Sequence, residues 1–386
     1  MARSAHAYVR GNTVKFYEWL ESSSRCALPD GPPVWICGDC HVGNLGPIAS
    51  IDGHVDIQIR DLDQAVIGNP AHDLVRLGLS LATAARSSDL PGATTALMVE
   101  EMVKGYCEAM AGAVSRKTVR ERQSKAVGDV LKEALRRRWK HLAKERIKDT
   151  SPTIPKSDRF WSLRKSEYRE MEELLETKSV RKLITGLGTR KSTASIKLLD
   201  AAYWIKGCSS LGRLRYAAIV RVGKRQGSDN EFCFLDLKEA TASAAPRAKD
   251  AMMPRDNALR VVTGAAALSP NLGDRMVAGR LGGKPVVLRE LTPQDLKLEL
   301  NNLTLDQAVQ TARYLSGVVG HAHARQMDKA TRTHWRKELM HFSAKLDAPP
   351  WLWNSVVELV ASHEAGYLEH CRKFALAPKT NANFRF

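Results

Sequence analysis

The sequence lacks the features that mark membrane and secreted proteins. No stretch approaches the roughly 20 consecutive apolar residues that a transmembrane helix requires, and residues 1–20 contain no continuous apolar segment of the kind found in a secretory signal. Cysteine is sparse and odd in number, with 7 residues in 386. That count disfavours a disulfide framework and favours free thiols in a reducing compartment. We therefore expect a cytoplasmic protein with no membrane span.

Acidic residues are fewer than basic ones, and the difference is concentrated in one segment. The chain has 59 Lys and Arg against 42 Asp and Glu, a net charge of +17, which implies an anionic partner. Residues 116–197 alone hold 24 Lys and Arg against 11 Asp and Glu. The first interpretation of this basic segment is a solvated helical face; the alternatives are docking of an acidic partner or of nucleic acid. Aromatic side chains suited to stacking on bases occur at Trp139, Phe160, Trp161 and Tyr168.

The rest of the composition is that of a folded globular chain, with 44% hydrophobic and 26% charged residues. Helical periodicity occurs at Asp73–Ala85, Val99–Met110 and Thr304–Ala344. Alternating strand patterns occur at Tyr216–Val222, Phe232–Leu237 and Lys284–Leu291. A shorter β-like region lies at about 33–62. The patterns therefore predict an α+β protein.

These patterns divide the chain into four parts. Residues 1–115 form a helical part that carries the main motifs, and residues 116–199 form a basic helical insert or linker. Residues 200–291 form a β-rich part, and residues 292–386 complete the helical part. A chain of this length suits one large two-lobed unit.

The residues with the clearest chemistry lie in two short stretches, GDCHVGNLG at 38–46 and RDLD at 60–63. Asp39, Asn44 and the two later carboxylates supply the hard oxygen ligands that Mg²⁺ prefers. One carboxylate remains to accept the proton of a hydroxyl group. His41 is expected to stabilise the loop through a hydrogen bond instead of binding a metal.

These motifs resemble the catalytic region of the aminoglycoside phosphotransferase and choline kinase branch of the protein-kinase-like fold. The resemblance implies that Asp39 orients the acceptor hydroxyl and that Asn44 and Asp61 bind Mg²⁺. It also implies that Asp73 is the structural aspartate that begins the next helix. Asp63 is either a second metal ligand or a turn residue.

The order of the parts differs from that of an ordinary kinase, because the catalytic motif precedes the β-rich part. Lys238 resembles the lysine on the third strand of kinases, which contacts the phosphates of ATP or GTP. The strand entering the hinge would end at Glu290 and the hinge would be Leu291–Asp295; Glu290 and Leu291 are predicted to contact the nucleotide. A glycine-containing loop is predicted to bind phosphates through Gly207, Ser209, Ser210 and Gly212. The resemblance therefore implies a two-lobed, circularly permuted kinase-like fold, with a β-rich nucleotide lobe and a helical lobe.

The same order resembles the domain of unknown function family 2252, a family of uncharacterised bacterial proteins. The matching elements are Arg10-Gly11, Lys238-Glu239-Ala240, Arg260-Val261-Val262 and the His-Ala-Arg element at 323–325. In kinases a helical glutamate pairs with the lysine, and the sequence offers none between 240 and 289. Either Glu239 or Asp256 takes that role, or the pair is absent.

The resulting hypothesis is a Mg²⁺-dependent phosphotransferase that uses ATP or GTP and an unidentified hydroxyl-bearing acceptor. Two alternatives stay open: a nucleotide-binding pseudokinase that acts as a regulatory scaffold, and a basic nucleic-acid-binding protein. Cys37 and Cys40 form a C-x-x-C pair, but no second Cys or His pair with zinc spacing follows.

Overall fold

The computed structural model describes residues 1–2, 4–22, 28–112, 125–136, 153–186, 190–206, 212–223, 231–295, 303–340 and 349–376. Helices and strands both occur throughout these ranges, so the α+β class predicted from the sequence is confirmed. None of the helices in the described part of the chain has the length and apolar character needed to cross a bilayer.

The helices of the described residues are α1 (Ala5–Gly11), α2 (Thr13–Ser22), α3 (Ala71–Ser87), α4 (Gly92–Ala111), α5 (Lys125–Arg136), α6 (Lys165–Glu176), α7 (Lys178–Thr185), α8 (Asn257–Leu268), α9 (Pro270–Gly273), α10 (Leu305–Ala324), α11 (Lys329–Leu339) and α12 (Pro350–Phe374). The strands are β1 (Val34–Ile36), β2 (Leu45–Ala49), β3 (Val55–Ile59), β4 (Val66–Gly68), β5 (Phe160–Ser162), β6 (Ile196–Trp204), β7 (Arg215–Val222), β8 (Glu231–Glu239), β9 (Met276–Leu281) and β10 (Lys284–Glu290). A 3₁₀ turn at Val42–Asn44 precedes β2.

The largest sheet has six strands in the order β5-β6-β7-β8-β10-β9, and every neighbouring pair is antiparallel. Strands β6, β7 and β8 form a meander, helix α8 follows, and the β9–β10 hairpin then returns so that β10 pairs with β8. Two smaller sheets, β1–β4 and β2–β3, lie near the start of the chain.

The two faces of the large sheet differ in what covers them. Alternate residues of β7 and β8 on one face, such as Val220 and Leu235, share a hydrophobic core with Met171 of α6 and Ile184 of α7. The other face carries a smaller apolar cluster around Phe234, with Arg215, Asp236 and Lys238 beside it. The sheet thus has one face for packing and one that is partly charged.

The basic segment predicted as a helical insert at 116–199 contains a strand of the large sheet as well as helices. Strand β5 pairs with β6 at the edge of the large sheet, and helices α6 and α7 contribute to the core of that sheet. The predicted boundary at residue 200 therefore falls inside β6. Most of the basic cluster around Arg136–Arg138 and Trp139 lies outside the described residues.

Helices α4 and α10 pack at close range because glycines line their contact. A Cβ on Gly105 would overlap the carbonyl oxygen of Arg313 and lie 2.7 Å from the hydroxyl of Ser316. Across the same contact, a Cβ on Gly320 would lie 2.8 Å from the Cβ of Ala109. The main chains therefore approach to a distance that only glycine permits.

We predict that Gly105→Ala lowers the free energy of unfolding by about 1–3 kcal/mol or more, because the new methyl group displaces main chain and not a flexible side chain. The matched control is Gly92→Ala in the first turn of α4, where no atom lies within 4 Å. That change should leave stability equal or slightly higher. Urea unfolding followed by circular dichroism measures both, and equal stabilities for the two variants would contradict the close helix contact.

Candidate active site

Asp39 lies in the turn after β1, and glycine makes this turn possible. Gly38 has a φ of +72°, and a Cβ there would overlap the carbonyl oxygen of Gln64. The hydroxyl of Tyr17 donates to the carbonyl of Gly38 at 2.6 Å. Burial raises the pKa of Tyr17 well above its ordinary value, so the hydroxyl stays protonated and remains a donor. The turn is therefore fixed from two sides.

The carboxylate of Asp73 fixes the same turn from the start of α3. It accepts the backbone N–H of Cys37 at 2.7 Å and that of Gly38 at 3.0 Å. His323 of α10 lies with Nε2 3.1 Å from the same carboxylate. All of these groups are buried. Asp73 therefore holds the turn that carries Asp39 from the first turn of α3.

The side chain of Asp39 is held by a buried arginine that the sequence analysis missed. Arg76 follows Asp73 by one turn of α3 and donates from Nε to Asp39 Oδ1 at 3.0 Å. Nε2 of His41 lies 3.8 Å from the other carboxylate oxygen. Burial lowers the pKa of His41 to about 4, so this imidazole is neutral at pH 7. Asp39 keeps 16% of its side-chain surface exposed, which leaves it open to a ligand.

The β2–β3 hairpin brings Asn44 and Asp61 to the same end of a small sheet. Asn44 lies directly before β2 and Arg60 directly after β3, and the N–H of Arg60 donates to the carbonyl of Asn44 at 2.7 Å. The amide of Asn44 also donates to the carbonyl of Asp39 at 3.0 Å. Hairpin pairing thus places Asn44 beside the backbone of Asp39 and next to Arg60, the residue before Asp61.

Lys238 approaches Asp61 and Asp63 from the third strand of the meander. Its Nζ lies 3.6 Å from Asp61 Oδ2 and contacts Asp63 Oδ2. The N–H of Asp63 points back to Asp61 Oδ1 at 3.5 Å. The structure therefore joins the predicted metal ligands and the predicted phosphate ligand, which come from distant parts of the chain.

The charges at this contact shift one another's pKa values. Burial alone would raise the pKa of Asp61, but Lys238, Arg289 and Arg215 hold it well below its ordinary value. Burial and the neighbouring Asp61 raise the pKa of Asp63. Burial would lower the pKa of Lys238, but the two aspartates raise it overall. The lysine is therefore charged at neutral pH, and Asp61 is ionised.

A second charged group lies beside Lys238 on the same face of the sheet. Arg215 donates to both oxygens of Asp236 at 2.8 and 2.5 Å, and Arg289 lies 3.4 Å from the same carboxylate. Strand pairing explains this, because Arg215 lies opposite Lys238 and Arg289 lies opposite Asp236. The alternating pattern of these strands in the sequence could have predicted that Arg215, Asp236 and Arg289 share a face with Lys238.

The cleft enclosed by these side chains is small. Its volume is about 40 Å³, which is room for a metal ion or a few water molecules and too little for a nucleotide. Its lining residues are Arg60, Asp61, Leu62, Asp63, Arg215, Asp236, Lys238, Val261, Met276, Val287 and Arg289. A nucleotide therefore needs the sheet and the helical part to move apart, or the charged side chains to withdraw.

Glu290 and Leu291, the two residues predicted to contact the nucleotide near the hinge, do not line the cleft. Glu290 is buried and binds Arg190 through both carboxylate oxygens at 2.7 and 2.8 Å. It lies on the face of the sheet covered by α6 and α7, because its strand neighbour Arg289 occupies the cleft face. Leu291 is buried in the apolar cluster around Phe234, to whose carbonyl its N–H donates at 2.9 Å.

The predicted phosphate loop lies mostly outside the described residues, which exclude Gly207, Ser209 and Ser210. Gly212 is described and has a φ of +79°, a conformation that favours glycine.

Neither Glu239 nor Asp256, the two acidic residues predicted to pair with Lys238, forms an ion pair with that lysine in the described structure. Glu239 accepts from Lys284 at 3.2 Å and from the N–H of Leu214 at 2.8 Å. Asp256 caps the start of α8 and lies 3.2 Å from Arg280. Asp63 and Asp61 are the acidic partners of the lysine instead.

The C-x-x-C pair is buried and not bonded as a disulfide. Cys37 and Cys40 are both free thiols. A hydrogen bond with Cys40 and burial raise the pKa of the Cys37 thiol well above its ordinary value, which disfavours the thiolate that a metal needs. Among the described residues, no group of three or more His, Cys, Asp or Glu side chains is arranged to hold a metal ion.

Fold and site together define a mixed α+β protein whose charged cleft joins an antiparallel sheet to a helical core. The family model described as "Uncharacterized protein conserved in bacteria (DUF2252)" matches residues 1–373, so the chain belongs to that family. This confirms the family resemblance drawn from the motifs. No curated protein and no solved structure matches the chain, and the kinase-like resemblance therefore stays a prediction from the sequence motifs.

We predict that Asp236→Asn destabilises the protein by about 3–5 kcal/mol at pH 7, because Arg215 and Arg289 lose their buried counter-charge. Although burial opposes it, the surrounding cations, Arg215 foremost, hold the pKa of Asp236 well below its ordinary value. Its stabilising contribution is therefore present above the unfolded pKa of about 4 and is lost as the pH falls below it. The stability difference between wild type and variant should shrink below about pH 4.

Urea unfolding at pH 7, 5, 4 and 3 measures this difference. The control is Glu369→Gln, which removes an exposed carboxylate paired with Arg372 and should change stability little. A difference between wild type and Asp236→Asn that stays constant across the pH series would contradict the assigned ion pair.

Proposed function

We propose that the chain is a phosphotransferase that uses Mg²⁺ and a nucleoside triphosphate, ATP or GTP, within a circularly permuted kinase-like architecture. The observation that carries this proposal is the contact of Lys238 with Asp61 and Asp63. In kinases the lysine of the third strand and the metal-binding aspartate act on the same phosphates. Two sequence motifs, each assigned by resemblance, meet here in one cleft.

The topology of the large sheet supports the same proposal. Lys238 lies near the end of the third strand of the β6–β8 meander, as the resemblance requires. Helix α8 and the β9–β10 hairpin follow, and the chain then continues to helix α10. Helix α10 is linked through His323 to Asp73 and so to the turn of Asp39. An unpermuted chain would run directly from this helix to that turn.

Each residue then has a defined chemical task. Asp39 accepts a hydrogen bond from the acceptor hydroxyl and takes up its proton. Arg76 keeps that carboxylate in one orientation. Lys238 binds the phosphates of the nucleotide. Rate enhancement comes from positioning the hydroxyl against the phosphate and from neutralising charge.

The donor set fits Mg²⁺ of the kind that is bound with phosphate. Mg²⁺ takes one or two carboxylates and completes its coordination with water and phosphate oxygens. Asp61 and Asn44 lie at the same end of the β2–β3 hairpin, and Asp63 is close by. Bound there, Mg²⁺ would neutralise charge on the β- and γ-phosphates.

One observation favours the regulatory alternative. Helix α8 contains no glutamate that could pair with the lysine. Arg260 donates to the carbonyls of Asp63, Ala65 and Thr241. The cleft is also too small for a nucleotide in its present state. If nucleotide binding is measured and no turnover accompanies it, the protein is a pseudokinase scaffold.

The nucleic-acid alternative and the acidic-partner alternative depend on the basic residues around 136–148. Residues 137–152 lie outside the described ranges. Both alternatives therefore remain predictions from the sequence.

We predict that Mg-ATP or Mg-GTP raises the melting temperature of the wild type by a few degrees, since a ligand at about 100 times its dissociation constant adds about 2.7 kcal/mol. Asp61→Ala should abolish this shift. The matched control is Asp52→Ala, in the exposed turn of the same hairpin, which should retain it. A folded wild type that shows no shift with either nucleotide would refute the nucleotide site.

We predict that Asp39→Asn lowers Mg-dependent nucleotide hydrolysis, with water as the acceptor, by at least about 100-fold. The nucleotide-induced thermal shift should remain, because Asp39 acts on the acceptor and not on the nucleotide. Phosphate release at saturating nucleotide measures the rate, with Asp52→Asn as the control. A rate equal to that of the wild type would remove Asp39 from the mechanism.

A further inference from the structure

Three side chains that lie along residues 39–44 have nitrogen atoms without a hydrogen-bond partner among the described residues. Nη1 of Arg76 and Nδ1 of His41 are buried and have no partner in the described chain. Arg10 is half-buried, and its guanidinium forms neither an ion pair nor a hydrogen bond with any residue that the structure describes. Buried polar groups are almost always satisfied, so the two unsatisfied atoms of Arg76 and His41 need an explanation.

Helix α1 brings Arg10 directly onto the catalytic turn. The guanidinium of Arg10 occupies the space beside Gly43, where a Cβ would lie 2.7 Å from three of its atoms. The preceding residue, Val9, accepts a hydrogen bond through its carbonyl from Arg76 at 2.6 Å. Arg10 and Arg76 therefore approach the turn of Asp39 from two helices.

The charges of this group do not balance. Arg76 neutralises Asp39, whose Oδ1 it contacts at 2.9 Å, and Arg10 has no carboxylate of its own among the described residues. Burial, with a smaller effect of Arg10, lowers the pKa values of both His6 and His41 to about 4. The histidines are neutral at pH 7, and one positive charge remains on Arg10.

We propose that Arg10, with His41 and Arg76, forms a binding site for an oxyanion, a phosphate or a carboxylate, that belongs to the acceptor substrate. A guanidinium presents parallel N–H donors that match two oxygens of such a group. The proposal rests on the proposed function, because it places the oxyanion beside the carboxylate that receives the acceptor hydroxyl. The acceptor is then an anionic hydroxyl compound and not a neutral sugar.

Inorganic phosphate is the probe, with acetate as the carboxylate counterpart. Each is titrated into the full chain without nucleotide, and binding is followed by calorimetry and thermal shift. Arg10→Gln should weaken binding about 10- to 100-fold, the loss expected for hydrogen bonds to a charged group. Arg86→Gln is the control, since Arg86 is an exposed arginine of α3 paired with Glu364, and it should bind as the wild type does.

A second variant tests the site without removing the arginine. Gly43→Ala places a methyl group against the Arg10 guanidinium and should weaken phosphate binding while the charge is retained. Arg10→Lys keeps the charge but loses the paired donors, so it should bind with intermediate affinity. Circular dichroism without phosphate establishes that each variant is folded.

The outcomes separate this proposal from the proposed function. Phosphate binding that is lost in Arg10→Gln and kept in Lys238→Gln supports the site, whatever the nucleotide titration of Asp61→Ala shows. Binding lost in Lys238→Gln and kept in Arg10→Gln would assign the anion to the cleft of the sheet and overturn the proposal. No binding of phosphate or acetate to the wild type would also overturn it, leaving buried water as the partner of these nitrogens.

Discussion

The buried carboxylate of Asp73 determines the geometry on which the rest of the site depends. It takes two backbone N–H groups of the turn that carries Asp39, and without it both would be buried donors lacking an acceptor. Its third partner, His323, lies 2.8 Å from the hydroxyl of Tyr106 through Nδ1. A chain of buried hydrogen bonds thus connects the turn to helices α3, α10 and α4. The position of Asp39 is therefore a property of the helical core and not of the loop alone.

Ion pairs between the two aspartates and Lys238 hold the side chains of the cleft together. Asp61 and Asp63 repel each other, and the approach of Lys238 stabilises both in their ionised forms. This contact also joins the β-rich part to the hairpin of the helical part. Arg260 adds three hydrogen bonds to main-chain carbonyls on both sides of the same junction. The junction therefore combines these polar contacts with an apolar one, since Leu62 and Ala65 share a hydrophobic core with Val261 and Val287.

The sequence predicted some parts of this arrangement and missed others for identifiable reasons. Asn44 and Asp61 could be paired in advance because a hairpin separates them, and the strand carrying Lys238 has a clear alternating pattern. Glu290 was predicted to contact the nucleotide, but alternation along β10 turns its carboxylate to the face opposite the cleft. Arg76 was missed because a helical arginine has no local signature of burial. The edge strand at Phe160–Ser162 has three residues and pairs with a distant partner, so no local pattern reveals it.

The contact of Lys238 with the two aspartates also bears on how the cleft could be used. The side chains that a metal and a phosphate would need already contact one another, so binding of the proposed ligands would replace one set of ion pairs with another. Asp61 and Asp63 would exchange the lysine for a cation, while Lys238 would exchange carboxylates for phosphate oxygens. Each buried charge keeps a counter-charge throughout, which avoids the cost of an unpaired ion. The small volume of the cleft is therefore compatible with the proposed binding of a charged ligand by the same side chains.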